Sequence, residues 1–269
     1  MFEIDFYSFD HNFCESTIYS VYPHPEYLNA ISSLFITFIG FNALFKSGAS
    51  LALLEPQGKA GTDFLLQILY SSLVINGITS CFYHYYNNIG WGLLDRMSMV
   101  LIATSSTYIF MYHLDKVIRL NRWKNTSFMM KTIHLSVTSY FTLLFTVAGL
   151  HLESLFNVLF GLFLVSLTVY MYLFDKHQNT LKIPKQIINF GWDGIKYIAL
   201  SGAFWIITEN LCSHIFFIKY LFGHIWWHVF VSYGGYLFSM VPNYLTLKDE
   251  NNIIQINYDF FGLPYLTKY

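Results

Sequence analysis

Three short segments carry side chains that could perform chemistry within a strongly apolar chain. They are Ser80-Cys-Phe-Tyr-His84, Leu93-Leu-Asp95 and His224-Ile-Trp-Trp-His228. Each lies in or at the edge of an apolar segment, where histidine and aspartate are costly and by default mark function. Three histidines, one carboxylate and one hydroxyl are enough to hold a catalytic zinc ion and to act on its water.

The spacing within these segments indicates which side chains would bind the metal ion and which would act on its water. His224 and His228 are four residues apart, so on a helix they share one face and can chelate one ion. His84 can supply a third ligand, which leaves the fourth zinc position to water. Asp95 is the candidate base that takes the water proton and later protonates the leaving group. Ser80 could orient the water or donate to a developing oxyanion, and the sequence does not choose between these roles.

Two other interpretations use the same residues. Polar side chains in apolar helices can simply hold a bundle together, but this explains a lone histidine better than a whole co-located set. Haem can be held by one histidine from each of two helices, and a pair four residues apart on one helix does not favour it. The other seven histidines are interpreted as interfacial or packing residues: His11, His24, His113, His134, His151, His177 and His214.

The composition predicts a polytopic membrane protein. The 269 residues are 55% hydrophobic and 12% charged, with a mean hydropathy of +0.43, whereas soluble domains carry about 25% charged residues. A net charge of −1 gives no support for nucleic-acid binding. The first 27 residues contain five acids and no Lys or Arg, so they do not resemble a secretory signal. The first apolar segment is therefore expected to be retained as a helix.

Seven stretches are long and apolar enough to cross a bilayer as helices, which takes about 20 residues. Their predicted bounds are 28–46, 64–86, 93–112, 128–150, 153–174, 195–213 and 221–247. The predicted fold is an all-α, seven-transmembrane helix bundle over residues 28–247. An acidic segment, 1–27, precedes it, and a cytosolic tail, 248–269, follows it.

The basic residues predict the orientation, because cytosolic loops are enriched in Lys and Arg. With the N-terminus outside, twelve of the fifteen basic residues fall in inner loops or the tail, and Lys219 alone falls outside. Arg96 and Lys196 lie within helices near their ends. The N-terminus is therefore expected to be lumenal or extracellular and the C-terminus cytosolic.

This orientation brings the five candidate side chains to a similar depth. Ser80 and His84 lie near the outer end of the second predicted helix, and Asp95 lies in the first turn of the third. His224 and His228 occupy the first two turns of the seventh. The sequence therefore predicts one cluster near the outer face of the bundle.

These motifs resemble those of the alkaline ceramidases, within the CREST superfamily of seven-helix membrane hydrolases. That superfamily, which includes the adiponectin and progestin receptor group and the GPI-anchor remodelling factors, shares Ser-x-x-x-His, Asp and His-x-x-x-His in helices two, three and seven. The ceramidase branch in particular is similar to this chain at Leu93-Leu-Asp95 with Met99, at His224-Ile-Trp-Trp-His228, and at Phe204-Trp205 with Glu209-Asn210 and Cys212.

The resemblance implies an intramembrane zinc-dependent amidohydrolase that cleaves ceramide to a sphingosine-type base and a fatty acid, in the endoplasmic reticulum or Golgi. Two rivals remain. One is a zinc-dependent hydrolase of another membrane lipid, such as a phospholipid or GPI-anchor ester, and the other is a receptor-like protein with a structural metal. Two positions depart from the family pattern. Arg96 stands where the family has an acid, which bears on local electrostatics and substrate preference, and Ile225 replaces an alanine with a bulkier wall or lipid contact.

The resemblance also implies a calcium site and a disulfide near the N-terminus. The family binds calcium with an acidic segment and a glutamate just before helix one. The aligned positions here are Asn12, Phe13, Glu15, Thr17 and Glu26. Oxygen ligands in this number suit calcium, although asparagine and threonine replace an aspartate and an asparagine of the family pattern. Family cysteines at the positions of Cys14 and Cys212 are paired, which implies a Cys14–Cys212 bridge here.

Overall fold

Long helices form nearly all of the computed structural model, which describes residues 13–15, 25–46, 60–120, 126–248 and 253–268. Within these ranges seven long helices follow one another: α1 (Tyr27–Lys46), α2 (Ala60–Tyr86), α3 (Ile89–Leu120), α4 (Thr126–Gly149), α5 (Glu153–Lys176), α6 (Lys185–Leu211) and α7 (Gly223–Leu247). A short 3-10 turn (Ile218–Leu221) precedes α7. The chain ends in an antiparallel hairpin of β1 (Ile254–Tyr258) and β2 (Pro264–Lys268).

The helices are those of an all-α membrane protein. Among the described residues, four segments are long and apolar enough to cross a membrane: Tyr27–Lys46, Phe64–Tyr86, Lys131–Gly149 and Glu153–Lys176. Three of the helices, α3, α6 and α7, are less apolar because they carry charged and polar residues, among them Asp95, Arg96, Glu209 and His224. That all seven helices span the bilayer, with the N-terminus outside, stays a proposal.

Two hydrophobic clusters hold the bundle together. The larger one joins α3, α4, α5, α6 and α7 around fully buried side chains such as Phe110, Leu144 and Met171. The smaller one joins α1, α2 and α7 around Ile39 and Tyr70. Because α7 takes part in both clusters, it occupies the centre of the packing and its first turns are fixed from both sides.

Two glycines allow α6 and α7 to approach each other closely. A Cβ atom added to Gly194 would lie 2.5 Å from the carbonyl oxygen of Gly234 and 2.6 Å from the amide nitrogen of Phe238. Small residues at such crossings let membrane helices pack backbone against backbone. The crossing positions α7, and hence His224 and His228, against α6.

The segment predicted as a cytosolic tail has a structure of its own. Residues 254–268 form a hairpin that packs against α1 and α7. Leu263 and Leu266 are buried, and the Tyr236 hydroxyl donates to the Pro264 carbonyl oxygen at 2.6 Å. The hairpin therefore joins the ends of α1 and α7 that lie opposite the N-terminal segment.

We expect Gly194→Ala to lower the thermal stability of the detergent-purified protein, because the new methyl group would push α6 away from α7. Gly202→Ala is the matched control in the same helix, since nothing lies within 4 Å of the added Cβ. Melting curves of the two variants and the wild type test this. Equal losses of stability in both variants would contradict close packing at the α6–α7 crossing.

Candidate metal centre and its cavity

Three buried histidines meet where α2 ends and α7 begins. One ring nitrogen from each of His84, His224 and His228 lies within 4.8 Å of the others. The ring centroids are 4.7 Å apart for His84–His224 and His224–His228, and 5.2 Å apart for His84–His228. The sequence-predicted zinc ligands are therefore brought together by the fold.

Each of these rings has a polar neighbour at its Nδ1 atom. The distances are 2.7 Å from His84 Nδ1 to Glu26 Oε2 and 2.8 Å from His228 Nδ1 to Ser32 Oγ. His224 Nδ1 lies 3.6 Å from Glu209 Oε1. Metal-binding histidines characteristically have the second ring nitrogen held by a carboxylate or another polar group. This arrangement leaves Nε2 of each ring to act as a ligand.

The donor set fits a metal ion with three protein ligands. Neutral imidazole nitrogens suit zinc, and three of them leave one position for water or substrate. Burying three imidazole rings around one point is costly, and a bound cation would offset that cost. The type, number and burial of these donors therefore make the cluster a candidate metal centre.

Phe13 and Cys14, in the segment that precedes α1, lie over this cluster. The Phe13 ring lies 4.3 Å from the His224 ring and 4.9 Å from the His84 ring, centroid to centroid. The Cys14 amide donates to Glu209 Oε2 at 2.7 Å. Cys14 is joined to Cys212 by a disulfide, with Cα atoms 6.0 Å apart, as the family resemblance implies. This bridge fixes the segment to the end of α6.

Two of the predicted calcium ligands have defined partners in the structure. The Glu15 carboxylate accepts hydrogen bonds from the amides of Leu28 and Asn29, both at 2.8 Å, and so caps the start of α1. Glu26 accepts from the Phe13 amide at 2.8 Å as well as holding His84. Of the three remaining predicted ligands, Phe13 is described, whereas Asn12 and Thr17 lie outside the described residues, so calcium binding stays a proposal.

Glu26 lies just before α1 and is fully buried. Burial raises the pKa of Glu26 to about 7, and the nearby His224 and the Phe13 amide oppose this rise. A cation held by the histidines would lower this pKa, because its charge favours the ionised carboxylate. The carboxylate is thus placed to compensate the charge of a bound metal ion.

Asp95 and Ser80 lie in the same cavity as the histidines. The Asn76 amide donates to Asp95 Oδ1 at 2.8 Å, and Ser80 lies within hydrogen-bonding range of the same carboxylate. The Ser33 hydroxyl donates to Ser80 Oγ at 3.1 Å and lies 3.3 Å from His228 Nδ1. A chain of polar contacts therefore links the histidine cluster to Asp95.

Several residues of this network were not predicted from the sequence. Asn76 could have been found, because it precedes Ser80 by four residues and so shares the helix face that also carries His84. Glu209 was noted only as part of a family motif. Ser32 on α1 carries no spacing signal that relates it to the histidines, since its contact with His228 depends on how α1 packs beside α7.

The cavity below the histidines is mainly apolar. It encloses about 270 Å³, and its walls come from α1, α2, α3, α5, α6 and α7, with apolar residues that include Ile36, Leu69, Phe110, Leu167 and Phe238. A cavity with one polar end and long apolar walls matches an amphipathic molecule such as a lipid.

Arg96 places a cation in the wall of this cavity. Its side chain is buried, and its Nη2 atom donates to His151 Nδ1 at 2.7 Å. Glu153 and Asn157 from α5 line the cavity with it. Because the resemblance places an acid at this position, the charge beside Asp95 differs in sign from the family pattern.

The fold and the site together define an all-α membrane protein with a buried three-histidine cluster at the polar end of an apolar cavity. The chain matches the family described as Ceramidase over residues 7–267. It therefore belongs to the ceramidase family, which confirms the resemblance inferred from the motifs. No curated protein gives a match to the chain.

We expect Glu26→Gln to weaken metal binding by about 10- to 100-fold, which is the usual effect of losing a carboxylate that orients a histidine ligand. The measurement is metal content after equilibration with a series of chelator concentrations. Asp175→Asn is the control, since this carboxyl group contacts Gln178, Lys185 and Trp192 away from the cluster. Unchanged affinity in Glu26→Gln would contradict the role assigned to the Glu26–His84 contact.

Proposed function

We propose that this protein is an intramembrane zinc-dependent amidohydrolase that cleaves the N-acyl amide of ceramide to a sphingosine-type base and a fatty acid. The observation that carries the proposal is the buried histidine cluster at the polar end of an apolar cavity that also contains Asp95. Membership of the ceramidase family supports the choice of substrate.

His84, His224 and His228 would hold the zinc ion. When bound there, zinc would polarise the amide carbonyl and make a water molecule more acidic. The aromatic ring of Phe13 lies against His84 and His224 and shields the cluster from solvent. Exclusion of water strengthens the electrostatic interactions that act on the reacting groups.

Asp95 is the proposed proton carrier. It accepts a proton from the attacking water and delivers it to the amide nitrogen as the carbon–nitrogen bond breaks, so that the sphingoid amine leaves. Asn76 orients the Asp95 carboxylate through its 2.8 Å hydrogen bond. Ser80, which lies between Ser33 and Asp95, would either orient the water or donate to the carbonyl oxygen as negative charge develops.

The apolar walls are proposed to hold the two hydrocarbon chains of the substrate. Ceramide would enter from the bilayer, because its chains are poorly solvated by water and the cavity lies among membrane helices. Burial of each methylene group contributes about 0.8 kcal/mol. The endoplasmic reticulum or Golgi is the proposed location, from the family alone.

A second candidate function is hydrolysis of an ester in a phospholipid or GPI anchor. The buried guanidinium of Arg96 in the cavity wall favours this alternative, because it could bind a phosphate oxygen. A third candidate is a receptor-like protein in which the metal ion only holds the helices together. The three candidates share the histidine cluster and differ in the role of Asp95 and in the bond that is broken.

We expect Asp95→Asn to retain metal but to lower turnover of labelled ceramide by about 10²- to 10⁴-fold, the usual contribution of a general acid–base. His228→Ala should lose both metal and turnover. Fatty-acid release and metal content, measured on detergent-purified protein, test both variants. Asp193→Asn is the control, because this partly exposed carboxyl group on α6 pairs with Lys196 away from the cavity.

The outcomes separate the three candidates. Metal-loaded wild-type protein that leaves ceramide intact but hydrolyses an ester lipid would replace the amidohydrolase proposal by the second candidate. Full turnover in Asp95→Asn would contradict the proton-transfer role. Wild-type protein that retains metal and hydrolyses neither lipid would favour the receptor-like alternative.

We also propose that Asn12, the Phe13 carbonyl group, Glu15, Thr17 and Glu26 bind calcium. Since Glu15 caps α1, a bound calcium ion would stabilise the folded state by mass action. Calcium added to chelator-treated protein should raise its melting temperature, and Glu15→Gln should reduce that shift. A melting temperature independent of calcium would contradict the site.

A further inference from the structure

The turn of the C-terminal hairpin presents two phenylalanine rings on the outside of the molecule. Residues 259–262, called here the hairpin tip, lie in the turn between β1 and β2. The side chain of Phe260 is 95% exposed and that of Phe261 is 66% exposed. Adjacent exposed aromatic rings are unfavourable in water, so they indicate a surface that meets an apolar partner.

Four backbone amides in and next to the hairpin tip have hydrogen-bond partners within the hairpin. Asp259 Oδ1 accepts hydrogen bonds from the amides of Phe261 at 2.8 Å and Leu263 at 2.9 Å. The Gly262 amide donates to the Asp259 carbonyl oxygen, and the Asp259 amide to the Leu263 carbonyl oxygen, both at 3.0 Å. Because backbone groups in an apolar medium need internal partners, these four bonds lower the cost of bringing the turn close to lipid.

The hairpin tip lies alongside α1 rather than beyond its end. The Asn42 amide donates to Asp259 Oδ2 at 2.6 Å, and the Phe261 ring packs edge-on against Phe38, with centroids 4.9 Å apart. At about 1.5 Å per residue, Phe38 lies about 12 Å along α1 from the helix end at Lys46. Since α1 is one of the segments able to cross a membrane, this depth is that of the acyl chains.

The surface around the hairpin tip continues the lipid-facing surface of α1. Phe41 and Phe45 on the same helix are 45% and 73% exposed. The base of the hairpin is more polar, and the Lys46 ammonium group lies 5.0 Å from the centre of the Tyr265 ring. Lys248 donates to the carbonyl oxygens of Leu181 and Lys182 nearby. Exposed aromatic residues next to lysine side chains are typical of a bilayer interface.

We propose that Phe260 and Phe261 form an aromatic anchor that inserts into the leaflet at the end of the bundle opposite the histidine cluster, where the rings contact lipid acyl chains. The strands of the hairpin lie in the headgroup region, where their outer edges can be hydrated. This anchor lies away from the histidine cluster and would act whichever lipid the cavity holds.

The anchor would act on the two helices that the hairpin joins. Tyr236 on α7 donates to the Pro264 carbonyl oxygen, and Asn42 on α1 to Asp259. At their other ends these helices carry His228 and its partner Ser32. Insertion of the hairpin tip therefore fixes the depth and spacing of α1 and α7 in the leaflet.

The test is a nitroxide spin label placed at residue 260 in liposomes that contain only this protein and phospholipid. The variant is Phe260→Cys on a Cys81→Ser background, which removes the free cysteine and keeps the Cys14–Cys212 bridge. Collision rates with oxygen, which concentrates in the bilayer, and with a water-soluble nickel complex report the depth of the label. Ile253→Cys is the control, since this residue is similarly exposed (68%) next to the base of the hairpin.

We expect the label at residue 260 to show at least a several-fold higher ratio of oxygen to nickel collisions than the label at residue 253. A value close to that of Phe41→Cys on α1 would match the inferred depth. Equal ratios at residues 260 and 253 would overturn the proposal, because pure lipid then leaves the hairpin tip in water and a protein partner must cover it. Phe261→Cys repeats the measurement if Phe260→Cys does not fold.

Discussion

The buried contact between Glu26 and His84, 2.7 Å long, is the interaction on which the rest of the site depends. A polar ring in an apolar bundle needs a partner, and a carboxylate that is itself buried needs further donors. Glu26 meets this requirement by accepting a hydrogen bond from the Phe13 amide. The residue that follows Glu26 is the first of α1. One carboxylate thus fixes the ring of a candidate ligand, the position of the N-terminal segment and the start of a helix.

The rings of the other two histidines are also held by polar side chains, which come from other helices. His228 is held by hydroxyl groups on α1, and His224 lies beside Glu209 on α6. Glu209 also accepts from Cys14, whose disulfide joins the N-terminal segment to Cys212 at the end of α6. Two helices, α1 and α6, together with Glu26 and the short covering segment, therefore set the orientation of the rings, and the close α6–α7 crossing limits how far α6 and α7 can move apart.

The sequence predicted the helices well, because long apolar runs and polar joints dominate the pattern. It placed the start of α6 near residue 195 rather than at Lys185, since Lys185, Gln186, Asn189 and Asp193 interrupt the apolar residues of the first turns. The hairpin was missed although Ile254-Gln-Ile-Asn-Tyr258 alternates between apolar and polar residues. The ring partners Glu26, Glu209 and Ser32 depend on packing between distant segments, which spacing along the chain does not encode.

X-ray absorption at the zinc edge of the purified protein is the sharpest test of the three-histidine site, because it reports which atoms surround the ion. We expect about one zinc per chain with three imidazole nitrogens at about 2.0–2.1 Å and one further light atom. His84→Ala should remove one imidazole from that shell or empty it. A shell containing sulfur, or one that is unchanged in His84→Ala, would contradict the assignment of the three histidines.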